Sequence, residues 1–129
     1  MKFNSLIPEL TVRDVERTKN FYTQVLRFNI EYERPEDKFV FLSLEENQLM
    51  FEQDNGGWNT GVLEYPFGRG VNFEMSVSNV EELYGRVITV GIEPFRRLTT
   101  SRYRNGTGEI VQKKFLVQDP DGYLLRFTD

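Results

Sequence analysis

The sequence predicts an α+β fold built from two tandem βαβββ repeats. An octet, Glu9–Glu16, lines up with Glu74–Glu81, so the offset from residue 9 to residue 74 is about half of the 129-residue chain. In each octet, a strand-like alternation ends at Asp14 or Asn79, which are residue types that cap helices, and a Glu follows in the first helical turn. Similar elements follow both octets, and this agreement of the flanks indicates an internal repeat.

Apolar residues recur at helical spacing after each cap, which predicts one helix per repeat. The second stripe ends near Gly91, a residue type that favours a helix C-cap. We interpret both stripes as core-facing surfaces. The first stripe is Val15, Phe21, Tyr22, Val25 and Leu26, and the second is Val80, Leu83, Tyr84, Val87 and Ile88.

Three strand-like segments follow each helix, separated by turn-forming residues. Asp119-Pro120-Asp121-Gly122 has the residue preferences of a type I turn. The expected strands are 30–34, 39–44 and 49–53 in the first half, and 93–101, 109–118 and 123–128 in the second. We expect a single domain over residues 1–129, with repeat one at about 1–53, a linker at 54–70 and repeat two at about 71–129.

Composition excludes several classes of protein. The chain has no cysteine and no histidine, so it offers no thiolate chemistry, no Ser-His-Asp triad and no imidazole metal ligand. Its net charge of −4 disfavours nucleic acid as a partner. With neither a signal-peptide pattern nor a membrane-length apolar run, we expect a cytoplasmic protein without membrane contact.

Polar residues alternate with apolar ones in the first strand of each repeat. Glu9 and Glu74 are therefore expected on the polar faces of equivalent strands. If each sheet curls around that face, the face lines a cleft; otherwise it is an ordinary solvated sheet surface. A basic stretch of Arg96, Arg97, Arg102 and Arg104 around Tyr103 is either a solvated hairpin or a contact for an anionic ligand.

Two segments carry a family resemblance. Ile7–Asp14 with Asn20–Tyr22 resembles the first-repeat signature of the vicinal oxygen chelate superfamily, which includes glyoxalase I, extradiol dioxygenases and bleomycin resistance proteins. Phe115–Phe127 is similar to the C-terminal signature of the bleomycin-resistance-like branch. The resemblance covers essentially the whole chain. It implies that the two repeats form curled mixed sheets around a cleft, the glyoxalase/bleomycin resistance fold.

The resemblance also locates the four positions that bind metal in the metal-dependent members. They map to Ile7, Glu52, Asn72 and Arg126, of which only Glu52 keeps a strong ligand type. We therefore expect no metal and no other cofactor. Glu52 and Arg126 map to the same cleft, where they either form a structural ion pair or take part in ligand binding.

The leading functional hypothesis is a metal-independent, homodimeric binding protein for a bleomycin-like antibiotic or another aromatic or amphipathic small molecule. One alternative is a lyase, isomerase or dioxygenase with Glu52 as acid–base group or residual metal ligand. Another is an interaction module with a vestigial cleft. Trp58 is the preferred stacking residue, with a dimer-interface anchor as the rival interpretation. The candidate ligand-binding residues are Glu9, Phe41, Glu52, Trp58, Asn72, Glu74, Tyr103 and Arg126.

Overall fold

The chain folds into two compact units that follow the two sequence repeats. A computed structural model describes residues 2–129. Unit 1 comprises residues 2–67 together with Pro120–Gly122, and unit 2 comprises Gly68–Asp119 with Tyr123–Asp129. Each unit carries one four-stranded mixed sheet and one α-helix in βαβββ order, which confirms the predicted fold class. The single domain over 1–129 stays a prediction.

Unit 1 has the strand order β1-β4-β3-β2, with β1 parallel to β4 and the other pairs antiparallel. Asp14 caps α1, since its carboxylate accepts the backbone N–H groups of Glu16 and Arg17. The helix is shorter than the stripe predicted, because a π-helical segment at Phe21–Val25 continues it. The elements are β1 (Glu9–Val12), α1 (Val15–Asn20), β2 (Asn29–Arg34), β3 (Phe39–Leu44) and β4 (Asn47–Gln53).

The core of unit 1 lies between the helical segment and one face of its sheet. Tyr22 is fully buried and contacts the rings of Phe28 at 5.2 Å and Phe51 at 4.6 Å between centroids. The π-helical segment, which carries Tyr22, therefore packs against β4. The helical segment therefore does not cover the opposite face of the sheet.

Unit 2 repeats this arrangement with strand order β5-β8-β7-β6. Gly91 ends α2 as predicted: its φ is +85°, and its N–H donates to the carbonyl of Ile88 while the N–H of Ile92 donates to Val87. These two bonds form a Schellman motif. The elements are β5 (Asn72–Ser76), α2 (Val80–Thr89), β6 (Arg96–Asn105), β7 (Gly108–Gln118) and β8 (Leu124–Thr128).

The strand expected at 93–101 lies instead at Arg96–Asn105. It runs four residues further because β6 pairs with β7 as far as Asn105 opposite Gly108, on either side of the Gly106-Thr107 turn. The basic stretch is therefore part of a long two-stranded hairpin.

Within unit 1, a buried carboxylate anchors the segment Pro120–Gly122. The side chain of Asp121 is fully buried, and its Oδ1 accepts from Arg13 Nε at 2.7 Å. The Arg13 guanidinium lies 5.5 Å from the ring centroids of both Tyr65 and Phe67. This contact, between residues 108 apart in sequence, holds Pro120–Gly122 against the rest of unit 1.

No helix among residues 2–129 is long and apolar enough to cross a membrane.

Candidate functional site

The face of the unit 1 sheet opposite the helix combines carboxylates with aromatic rings. Residues paired across neighbouring strands share a face, so the register decides which side chains meet. One row across the sheet contains Glu9, Met50, Phe41 and Tyr32, and the next row contains Thr11, Glu52, Phe39 and Arg34. We call this surface the polar face of unit 1. It contains Glu9, Glu52 and Phe41 from the predicted set.

The aromatic residues of this face form two layers. Phe41 is 0% exposed, because the ring of Tyr32 stacks on it at 5.3 Å and the ring of Phe3 contacts it at 5.6 Å. Phe41 is thus buried beneath Tyr32 and Phe3, and a ligand on this face would meet these two rings instead. Sequence reasoning missed Tyr32, although its alternation with the exposed Glu31 and Glu33 was a usable signal.

Arg34 supplies the positive charge of the polar face, but neighbouring groups partly neutralise and cover it. Its Nε lies 3.2 Å from Asp37 Oδ2, and its guanidinium carbon lies 3.9 Å from the ring centroid of Phe39. The carboxylates of Glu9 and Glu52 therefore dominate the charge that a ligand would meet. Burial and the nearby Glu52 carboxylate raise the pKa of Glu9, and Arg34 opposes this shift.

Trp58 is tied to the polar face through Glu52. The indole Nε1 donates to Glu52 Oε1 at 3.2 Å, and Asn55 Nδ2 donates to the same oxygen at 3.4 Å. The Trp58 residue is nevertheless 67% exposed. An exposed indole held by its polar edge presents a flat apolar surface beside a carboxylate. The structure thus brings Glu52 and Trp58 together. Sequence periodicity could not predict this contact, because Trp58 lies in a loop.

The corresponding face of unit 2 has a different charge balance. Arg126 Nη2 lies 3.6 Å from Glu74 Oε2, its partner across β5 and β8. On β6 and β7, Lys114 Nζ donates to the hydroxyl of Tyr103, and this hydrogen bond lowers the pKa of Tyr103. Asn72 is exposed at the start of β5. The expected ion pair between Glu52 and Arg126 stays a prediction.

A cleft of about 320 Å³ lies in unit 1 between α1 and the segment around Pro35, and it shares Phe39 with the polar face. Its rim has mixed charge, since Lys19 pairs with Glu16 at 3.1 Å and with Glu33 at 2.9 Å. None of the residues that line it belongs to the predicted site. The candidate site is thus the open polar face rather than this cleft.

The residues at the family's metal positions do not fit a divalent cation. The side chain of Ile7 has no donor atom, and Arg126 adds a positive charge that already faces Glu74. Within residues 2–129, no three acidic side chains cluster as a metal site would require. We therefore derive no chemistry through a metal.

The fold defines a protein built from two βαβββ repeats. The family model of the glyoxalase/bleomycin resistance protein/dioxygenase superfamily matches residues 3–127, so the chain belongs to this superfamily. No curated protein matches the chain.

Three solved structures are similar to this chain. A superfamily member from Vibrio splendidus 12B01 is 37% identical, covering 93% of each chain at a TM-score of 0.45. TioX from Micromonospora sp. ML1 is 18% identical, covering 98% of each chain at a TM-score of 0.76. The virulence protein STM3117 from Salmonella typhimurium is 19% identical, covering 99% of this chain and 98% of that one at a TM-score of 0.69. The last two show the fold alone.

Proposed function

We propose that the protein binds a small aromatic cation on the polar face of unit 1 and releases it chemically unchanged. The observation that carries this proposal is the position of Trp58, an exposed indole hydrogen-bonded to the carboxylate of Glu52. The hydrogen bond from the indole Nε1 occupies one edge of the Trp58 ring, whereas the two faces of the ring remain available for stacking. An aromatic ligand would lie against the indole or against Tyr32.

The negative charge of the polar face favours a cationic ligand. Burial, and after it the nearby Glu52 carboxylate, raise the pKa of Glu9, and a bound cation would relieve the repulsion between the two carboxylates. Arg34 competes only weakly because Asp37 pairs with it. Aromatic faces also attract cations through their quadrupoles, by about 0.5–1 kcal/mol at exposed sites. A ligand that is both aromatic and cationic would interact with the carboxylates and with the aromatic rings of the polar face.

A bleomycin-like antibiotic is one ligand of this class, and the superfamily assignment makes it a natural first compound to test. The face of unit 2, with Asn72, Glu74, Tyr103 and Arg126, is proposed as a second binding surface. Its two basic side chains, Arg126 and Lys114, suit the anionic or polar parts of an amphipathic ligand. We also propose that the protein acts as a homodimer.

Calorimetric titration with ethidium, an aromatic cation, and with bleomycin tests the proposal. Glu52→Gln removes the carboxylate that would pair with the bound cation at a partly exposed site, so we expect Kd for ethidium to rise about two- to fivefold. Trp58→Ala removes the stacking surface and is expected to weaken binding about tenfold, from loss of roughly 1–1.5 kcal/mol. Glu46→Gln, a matched change in the turn between β3 and β4, should leave Kd unchanged.

Two results would contradict the proposal. If neither cation binds at millimolar concentration, or if Glu46→Gln weakens binding as much as Glu52→Gln does, the polar face is not the site. Mass spectrometry of the ligand after prolonged incubation tests the absence of turnover. A modified product that disappears with Glu52→Gln would favour the enzyme alternative.

A further inference from the structure

The cleft between α1 and the segment around Pro35 takes no part in the proposed function. Its volume of about 320 Å³ lies at the lower end of the range for small-molecule pockets, about 300–1,000 Å³. All the residues that line it belong to unit 1, so its walls are set within one compact unit. The charges and the hydrogen-bond donors along these walls indicate which ligand fits.

Two contacts between α1 and the sheet lie at opposite ends of this cleft. The backbone N–H of Val15 donates to Gln53 Oε1 at 3.1 Å, and Lys19 Nζ lies 2.9 Å from Glu33 Oε1. Val15 and Lys19 are four residues apart on α1, about 6 Å at 1.5 Å per residue. All four residues line the cleft, which therefore extends along one turn of the helix.

The Lys19 end of the cleft has little attraction left for an anion. Lys19 Nζ also lies 3.1 Å from Glu16 Oε2, and the lysine side chain is only 20% exposed. The hydrogen bond to Glu33 and, after it, the one to Glu16 raise the pKa of Lys19, so its ammonium group stays charged and engaged. Because two carboxylates face one lysine here, an added anion would meet a net negative charge.

The Gln53 end instead offers two hydrogen-bond donors without an acceptor. Gln53 and Lys38 are neighbours, since the backbone N–H of Gln53 donates to the carbonyl of Lys38 at 3.0 Å. The side-chain oxygen of Gln53 accepts from Val15, but within residues 2–129 its amide nitrogen donates to no group. In the same part of the chain, the Lys38 ammonium has no hydrogen bond or ion pair. An ammonium and an amide N–H on neighbouring residues suit a carboxylate, which only accepts hydrogen bonds.

Apolar side chains line the cleft beside these charged and polar groups. Val15 is 8% exposed and Phe39 is 3% exposed, so neighbouring groups of unit 1 hold both in place. Pro35 adds a third apolar group, whose ring restricts its backbone. A short hydrocarbon chain would cover these side chains and exclude water from them. The apolar wall is thus formed before a ligand arrives, which lowers the ordering cost of binding.

We propose that this cleft binds a small amphipathic carboxylate, with the carboxylate group at Lys38 and Gln53. The hydrocarbon part of the ligand packs on Val15, Pro35 and Phe39. A cationic ligand is disfavoured, because it would have to displace a lysine from the carboxylates at the other end of the cleft. This second site goes beyond the proposed function, since other side chains hold the ligand and the ligand has the opposite charge.

Titration of ¹⁵N-labelled protein with hexanoate, followed by two-dimensional NMR, tests the site directly. We expect the side-chain amide signal of Gln53 and the backbone amide signals of Val15 and Lys38 to shift in a saturable way. Hexylamine and hexanol have the same hydrocarbon chain with a cationic or a neutral head group. Both should bind roughly fivefold or more weakly than hexanoate, because neither can accept charge-assisted hydrogen bonds from the two donors.

Two variants change the proposed donors one at a time. Lys38→Met removes the ammonium group but keeps a chain of similar length, so Kd for hexanoate should rise about two- to fivefold. Gln53→Glu keeps an oxygen for the N–H of Val15 but replaces the amide donor by a negative charge, so Kd should rise about tenfold or more. Lys2→Met and Gln112→Glu make the same changes at other positions and should leave Kd unchanged.

Three results would overturn the proposal. The first is the absence of shifts at the cleft residues at about 20 mM hexanoate, a concentration above the millimolar Kd expected of so small a ligand. The second is hexylamine or hexanol binding as tightly as hexanoate. The third is a hexanoate Kd that neither donor variant raises while both variants keep the wild-type melting temperature.

Trp58→Ala separates this site from the polar face. The variant removes the proposed stacking surface for an aromatic cation and should leave Kd for hexanoate unchanged. A weakened hexanoate affinity in Trp58→Ala would place hexanoate on the polar face and contradict a second site. The two binding proposals can therefore fail independently.

Discussion

Gly122 occupies a position where a single methyl group should destabilise unit 1. Its φ is +92°, a left-handed conformation that costs an L-residue roughly 1–2 kcal/mol. A Cβ added there would lie 2.6 Å from Cα and 2.5 Å from Cβ of Pro66, and the backbone at Pro66 cannot yield as a flexible side chain would. Overpacking of this kind costs about 1–3 kcal/mol. The two effects together predict a loss of about 2–5 kcal/mol for Gly122→Ala.

Gly91→Ala separates the two contributions. Gly91 has nearly the same φ, +85°, but no atom lies within 4 Å of the Cβ position, so only the conformational cost of about 1–2 kcal/mol applies. At roughly 4 °C per kcal/mol for a chain of this size, Gly122→Ala should lower Tm by about 8–20 °C and Gly91→Ala by about 4–8 °C.

Differential scanning calorimetry of both variants checks this difference. Equal losses for the two variants would refute the reasoning, because the contact with Pro66 would then contribute nothing. Near-native stability of Gly122→Ala would show that the turn after Asp119 does not pack on Pro66 as the structure describes.

Three further predictions concern charged groups. Asp121→Asn keeps the shape of the buried side chain but removes its charge, so urea denaturation should show a loss of about 1.5–3 kcal/mol as the bond from Arg13 weakens. The pKa of Glu9 is higher in the folded than in the unfolded state, so ionisation of Glu9 as the pH rises lowers the stability of the folded state. Glu9→Gln should therefore raise Tm at pH 7 but not at pH 3. An unchanged Tm at pH 7 would contradict the raised pKa. Tyr103 should ionise at lower pH than the other tyrosines in an ultraviolet absorbance titration, because Lys114 donates a hydrogen bond to its hydroxyl. This first phase of the titration should be absent in Tyr103→Phe and should move to higher pH in Lys114→Met.

The sequence predicts the fold well because its signals are local and repeated. The caps at Asp14 and Asn79 and the terminating Gly91 each act within one helical turn, so each is readable from a few residues. Strand β3, Phe39–Leu44, has the bounds that its turn-flanked apolar run predicts. The π-helical segment at Phe21–Val25 was not predicted, since its apolar spacing fits an α-helix equally well.

The site was less predictable because its contacts join distant or irregular segments. Strand β3 is apolar on both faces, so alternation could not show that Phe41 is buried beneath Tyr32. The bond from Trp58 to Glu52 begins in a loop without periodicity. The contact of Arg13 with Asp121 spans most of the chain, and neither residue carries a local signal for it.

The binding of an aromatic cation beside Trp58 is the central claim, and the composition of the chain allows a direct test. Trp58 is the single tryptophan, so its fluorescence reports this site without background from another indole. We expect ethidium or bleomycin to quench this emission in a saturable way, with Kd raised about two- to fivefold by Glu52→Gln, whereas the anionic dye 1-anilinonaphthalene-8-sulfonate should bind more weakly than the cations. Emission that stays unchanged while calorimetry detects binding would place the ligand elsewhere and contradict the account.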